Sequence, residues 1–281
     1  MTERAKWTKS KLEKYIKEGR GIGEGRNYKP WTTVYDYSSY GRSTRILGYK
    51  TKRVHHLNSD LMTNYFYLME WDNRVIDIRE TYPLIDAAEI LSSFDDLRFD
   101  LFKDKVSGFQ YILTTSFLLV IRENGKERMV ARTLKMANDL NKSTVIEKIE
   151  IERRYWKSRG INWGIVTDKE LPIERCKNIK WIHSSLWGYE DRGYKRDEVI
   201  QEAWRLIEFL CKDKKMTVRR AVYNFDDEYL LDEGTGLYLL KYAIAAKFIS
   251  IDIDKKIDLN ESTDKLITNI NYMEEDSIAS N

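Results

Sequence analysis

The sequence predicts an α/β domain with a mixed sheet, followed by a smaller helical domain. Three observations carry this prediction. Two β-rich runs flank Asn124-Gly125, so residues 114–135 read as a hairpin closed by a tight turn. A strongly helical stretch and a short apolar run, 143–160 and 161–168, follow it. After a polar, glycine-containing linker at 188–196, the pattern changes to three helices and a second hairpin, which is the winged-helix pattern. The expected domains are therefore 1–187 and 188–281.

Residues 8–18 read as a short helix. Gly19, Gly21, Gly23 and Gly25 then break any regular element, and a flexible basic loop is expected. No strand precedes these glycines, so they are not a dinucleotide fingerprint. HLNSDLMTNYFYLMEW (56–71) has apolar residues at 57, 61, 65, 68 and 69, which is helical spacing, with Asn58 or Ser59 as cap. RVIDIRETYPL (74–84) is a strand ended by Pro83. Residues 86–108 show no pattern.

The hairpin register follows from the turn. If Asn124 and Gly125 are the loop, Glu123 pairs with Lys126, and Ser116 falls opposite Thr133. Thr133 and Lys135 then share a face with Ser116, unless a bulge intervenes. STVIEKIEIERRYWKSRG (143–160) is a helix capped by Ser143 or Thr144, with a Glu150–Arg154 pair and a stop at Gly160. INWGIVTD (161–168) reads as a strand buried on both faces, and KWIHSSLW (180–187) is a further strand candidate. Residues 196–213 and 217–225 are amphipathic helices. Residues 234–259 read as a helix and then a hairpin around Asp254-Lys255, and 260–281 as a frayed polar tail.

Composition limits the function classes. With 281 residues and 42% apolar content, a sizeable core is available. No run approaches the roughly 18 apolar residues of a membrane span, and the N-terminus lacks the apolar core of a signal peptide. Cys176 and Cys211 are lone, which argues against a disulfide or zinc site. A cytoplasmic protein without membrane contact is expected.

The net charge of +3 is uneven, because residues 1–60 hold fourteen Lys and Arg against six Asp and Glu. KEGRGIGEGRNYKPW (17–31) and YGRSTRILGYKTKRVHH (40–56) mix cations, glycines and aromatics, as a phosphate backbone requires. The candidate DNA contacts are Arg20, Arg26, Lys29, Arg42, Arg45, Lys52 and Arg53, with Tyr28 and Trp31 as stacking candidates. Trp156, Trp163 and Trp181 read as core.

KEGRGIGEGRNYKPW, GRSTRILGYKTKRVHHLNSDL, LMEWDNRVIDIRETYPL, EKIEIERRYWKSRGINWGIVTDKE and the hairpin flanks resemble the TnsA family over roughly 8–187, and the rest resembles it more loosely. These are the endonuclease subunits of heteromeric transposons. The resemblance implies a restriction-endonuclease-like N-terminal domain and a C-terminal winged helix. It also implies Mg2+ or Mn2+ in an active site, transposon-end DNA cut at its 5′ ends, and two partners, a TnsB-like DDE transposase and a TnsC-like ATPase regulator.

Its site positions carry over one at a time. The helix glutamate that follows SDL falls on Met62, and the strand aspartate on Ser116. The residue two before the lysine falls on Thr133, the lysine on Lys135, and the glutamate before RRYW on Glu152. Only Lys135 and Glu152 keep suitable chemistry, since a divalent cation needs several convergent hard oxygens. The residues that share a helix face with Met62 are Asn58, Ser59, Tyr65 and Phe66. Asp60 points about 200° away. The expectation is a transposase subunit with an impaired nuclease site, no bound metal, and a DNA-binding and assembly role. The alternatives are an active nuclease with relocated ligands from Glu152, Asp60 or Glu70, and a lone DNA-binding regulator that uses Arg219 and Arg220.

Overall fold

A computed structural model of the chain describes residues 7–36 and 41–271. It divides into two units, Met1–Leu171 and Pro172–Asn281. In the first, helix α1 (Lys9–Lys17) starts where the Thr8 hydroxyl accepts the Lys11 N–H. The glycine segment after it is not the flexible loop expected. Gly21 N–H donates to Lys29 O, and Lys29 N–H to Ile22 O. Gly21, at φ +78, lies so near Pro83 that a Cβ would meet its Cγ at 2.3 Å. Glycine here provides close approach, not mobility.

Strands β1 (Thr44–Leu47) and β2 (Val54–Leu57) pair antiparallel. Helix α2 (Asp60–Trp71) begins under the Ser59 hydroxyl, which accepts the Met62 N–H. Strand β3 (Val75–Pro83) leads to a one-turn helix, α3 (Ala87–Ile90), within the stretch that showed no pattern. Strands β4 (Thr114–Glu123) and β5 (Lys126–Lys135) form the expected hairpin. Asn124 and Gly125 have φ 52° and 73°, the two positive values that a type I′ turn needs. The derived register holds from Glu123↔Lys126 to Phe117↔Arg132. Helix α4 (Ser143–Ser158) takes both expected cap residues into its first turn; Lys142 is the N-cap, without a side-chain cap bond.

Strand β6 (Asn162–Thr167) runs parallel to β5 and completes a mixed sheet in the order β3-β4-β5-β6. The expected burial on both faces is corrected: β6 is an edge strand and its residues keep partial exposure. On one face of the sheet, Ile151, Tyr155 and Trp156 of α4 pack with Leu118, Ala131, Leu84 and Leu113. On the other, Tyr65 of α2 meets Phe117 at 5.3 Å between ring centroids.

Helix α5 (Ile173–His183) opens the second unit and occupies much of the stretch expected as a strand. Cys176, Ile179, Ile182 and His183 are buried at steps of three and four, a helical spacing, and Ser184–Leu186 continues as a 3-10 turn. This unit also contains α6 (Arg196–Lys212), α7 (Val218–Glu228) and α8 (Thr235–Ala245). Tyr238 of α8 donates to Ser185 O at 2.8 Å. That contact draws α5 and its turn into the C-terminal unit, so the division falls at Leu171/Pro172 and not at 187/188. Strand β7 (Ile249–Ile251), the short helix α9 (Thr263–Leu266) and β8 (Ile267–Ile270) follow. The expected hairpin around Asp254-Lys255 is corrected as well: β7 pairs with β8, which lies in the segment expected to fray. No helix among the described residues is long and apolar enough to cross a membrane.

One buried charge cluster ties these parts of the first unit together. Glu80 of β3 has no exposed surface. It accepts hydrogen bonds from Arg53 at 2.9 and 2.5 Å, and from the His56 N–H at 3.0 Å. His55 Nδ1 lies 2.8 Å from it. Burial alone raises the carboxyl pKa, but His55 and Arg53 outweigh burial and hold it well below the ordinary 4.5. A carboxyl depressed in this way contributes stability above its unfolded pKa and loses it as pH falls. We therefore expect acid unfolding to steepen below about pH 4.5. Glu80→Gln should flatten that limb and cost about 3–5 kcal/mol at neutral pH, read by urea denaturation, because it leaves Arg53 buried and unpaired.

Candidate functional site

The site forms where the β4–β5 ladder stops. The last pair is Phe117↔Arg132. On the other side of β4, Thr81 of β3 has φ 47°, a left-handed conformation that is rare for a β-branched residue. It lies between the pairs Glu80↔Phe117 and Tyr82↔Thr115. The basic arm holds it there: Thr32 N–H donates to Thr81 Oγ1 at 3.3 Å, and Thr81 Oγ1 to Thr32 O at 3.2 Å. The β3–β4 register nonetheless runs through it without a shift. Phe117 faces α2, yet Thr115, two residues away, reaches α4. The expected common face of Ser116, Thr133 and Lys135 is thus corrected. Ser116 Oγ instead accepts the Leu134 N–H at 2.9 Å, and Thr115 stands beside Thr133.

Both threonines serve Glu152 of α4, which has no exposed surface. Thr115 donates to Glu152 Oε2 at 2.9 Å, and Thr133 donates to the same oxygen. Each hydroxyl also accepts from an indole, Trp156 Nε1 at 2.8 Å and Trp163 Nε1 at 2.9 Å. Glu152 Oε1 has no hydrogen-bond partner, and Lys148 Nζ lies 3.8 Å from it. Lys135 closes β5, two residues beyond Thr133. Its amine pKa is pushed down by burial and by the like charge of Lys148, against the pull of Glu152 and Asp139.

Met62 is buried on α2 at 9% exposure and supplies no oxygen. The relocated ligands do not gather here either. Asp60 pairs with Arg42 at 2.8 Å, and Glu70 accepts the Tyr49 N–H at 2.6 Å. Among the described residues, no group of three or more His, Cys, Asp or Glu converges as a metal cage. One hydrogen-bonded carboxylate, two hydroxyls and two ammonium groups do not fit a hard divalent cation. Two members of this cluster escaped the sequence reading. Lys148 lies four residues before Glu152 on one helix face, a signal that was available. Thr115 depends on the ladder break, which no spacing rule shows.

The basic segment separates into two groups. Arg53 is buried against Glu80, so it is a core ion pair and not a DNA contact. Arg20 bonds Asp36 and Glu18, both at 2.7 Å, and lies 3.7 Å over the Tyr15 ring, which is again a structural role. Tyr28 and Trp31 are buried at 3% and 2%, so their stacking role is corrected too. Trp31 packs edge-on with Trp7 and Tyr15. Arg26, Lys29, Arg42, Arg45 and Lys52 remain exposed. Arg45 lies over Tyr35, an aromatic 71% exposed that the sequence reading passed over, and Lys52 over Tyr49.

Comparison with known proteins identifies what the chain is similar to. A family model described as TnsA-like endonuclease N terminal matches residues 72–168. One described as TnsA endonuclease C terminal matches residues 170–253. The Transposon Tn7 transposition protein TnsA of Escherichia coli is 33% identical over 268 residues, covering 94% of this chain and 93% of the relative.

The Glu152 seat has a measurable consequence. Thr133→Val leaves Glu152 one hydroxyl short and Trp163 Nε1 without its acceptor. Urea denaturation should show a loss of about 1–3 kcal/mol. A double-mutant cycle with Thr115→Val should show coupling and not simple additivity.

Proposed function

The chain belongs to the TnsA family, and from that premise we propose that it is a transposase subunit that binds transposon ends and assembles its partners without cutting the 5′ strands. The supporting observation is the state of Glu152. It is the one carboxylate of the cluster, and Thr115, Thr133 and Lys148 already engage it. Hydrolysis of a phosphodiester by this family's chemistry needs convergent oxygens around divalent cations. The positions that would supply them hold Met62 and Ser116, and the Ser116 hydroxyl is committed to the Leu134 N–H.

In this reading the first unit is a restriction-endonuclease-like scaffold used for binding. Arg26, Lys29, Arg42, Arg45 and Lys52 meet the DNA backbone, a charge-driven contact that weakens with salt. The second unit acts as a winged helix. Three helices followed by the two-stranded β7–β8 sheet support that assignment, as do Arg219 and Arg220, exposed on the first turn of α7. The partners are a TnsB-like DDE transposase and a TnsC-like ATPase regulator.

The test uses purified protein, these partners and end DNA, with Mg2+ or Mn2+. The expected result is joining of the 3′ ends without nicks at the 5′ ends, giving cointegrates. A 5′ nick that disappears in Lys135→Ala would overturn the proposal.

A further inference from the structure

We infer that β6 is a docking edge for a second copy of this chain, with the two β6 strands paired antiparallel about a two-fold axis at Gly164. The two four-stranded sheets then become one continuous sheet. This inference stands apart from the DNA-binding reading above and goes beyond it.

The edge is open. β5 is the one strand that pairs with β6, and among the described residues no backbone hydrogen bond from outside the sheet reaches 163–166. Residues 163–167 all keep partial exposure, without the alternation of a strand that has one bare face. Natural edges are blunted by lysine, proline or a bulge. NWGIVT has no charge and no proline, and its register with β5 runs without a shift. Gly164 adds a second observation. Its φ lies outside the left-handed region, and a Cβ there would meet only the Arg132 guanidinium, at 3.8 Å. No described neighbour therefore requires glycine at this position. An unforced glycine in a strand marks close approach by another backbone.

Charge selects the occupant. Lys157 and Arg159 are exposed just before the strand, and Asp168 and Glu170 follow it, with Lys169 between them. One end is net positive and the other net negative. Antiparallel self-pairing sets each end against its opposite in the other copy, whereas a parallel arrangement would set like ends together. The register follows from symmetry. In an antiparallel ladder, opposed residues either both face each other with their backbone groups or both face away. A strand paired with itself therefore opposes residues of equal parity, and its axis falls on a residue. Gly164, which leaves room for the closest approach, is that residue. Asn162 then lies opposite Val166 of the second copy, and Trp163 opposite Ile165. The pairing is isologous, so it closes at two copies and leaves neither β6 edge open.

Sedimentation velocity of the full chain alone, over a concentration series, should show a monomer–dimer equilibrium. The expected Kd is on the order of 10 µM, as a small interface gives. Gly164→Asp should weaken the dimer by about tenfold or more, because it puts two like charges face to face. The monomer has room for the new Cβ, so a melting curve should stay close to that of wild type. Two cysteine variants decide the matter even where Gly164→Asp unfolds. Asn162→Cys and Val166→Cys, each oxidised alone, should cross-link no more than wild type, which has Cys176 and Cys211 of its own. Mixed in equal amounts they should give a disulfide-linked dimer, because only the mixture opposes the two new thiols. A wild type that stays monomeric at about tenfold the expected Kd would overturn the inference and leave the edge to a strand of another protein. A dimer unchanged by folded Gly164→Asp, or mixed cysteine variants that cross-link no more than each alone, would overturn it as well.

Discussion

A carboxylate with no exposed surface, wedged between a helix and a sheet, needs donors or it destabilises the fold. Glu152 obtains them from Thr115 and Thr133, one on each strand of the hairpin, with Lys148 one helical turn earlier. This constraint organises the region around it. It joins α4 to β4 and β5, and it commits the hydroxyls of both strands. The indoles of Trp156 and Trp163 are tied to those same hydroxyls. The network is satisfied at Oε2, while Oε1 has no hydrogen-bond partner and only Lys148 Nζ at 3.8 Å.

The opposite face of the sheet solves the same problem differently. Glu80 is paired with Arg53 and lies 2.8 Å from Nδ1 of His55 on β2, which ties β2 to β3. The arm reaches the same strand through Tyr28, which donates to Glu80 O, and through Thr32, which holds Thr81. Tyr82, next to Thr81, pairs with Thr115 in the ladder. A chain of contacts thus runs from the glycine-rich segment, through a left-handed threonine, to the Glu152 seat. The arm is thus bound to β3 through Tyr28 and Thr32.

Much of this was legible in the sequence, for identifiable reasons. The Asn124-Gly125 turn fixes a register, and period-2 and period-3.6 patterns identify the strands and the long helices. The resemblance singled out positions 62, 116, 133, 135 and 152, and of these the structure joins Thr133 to Glu152. What was not legible is the interaction of distant segments. Arg53 and Arg20 read as surface cations because the sequence does not reveal Glu80 and Asp36 beside them. Tyr28 and Trp31 read as exposed because basic residues stand beside them in a glycine-rich segment, yet Tyr28 donates to Glu80 O and Trp31 packs on Trp7 and Tyr15. Apolar β6 looked central because periodicity does not distinguish a strand with one neighbour from a strand with two.

The pairing of β7 with β8 has a consequence for synthesis. The first unit is complete at Leu171, so it can fold while the rest of the chain is still being made. The second must wait for Ile270 before its small sheet can close. About a hundred residues lie between these points, on the order of 5–20 seconds of elongation at usual rates. For the last part of that interval, from Ile251 to Ile270, the edge of β7 lacks its partner strand. The C-terminal unit is therefore the last part of the chain to complete its sheet.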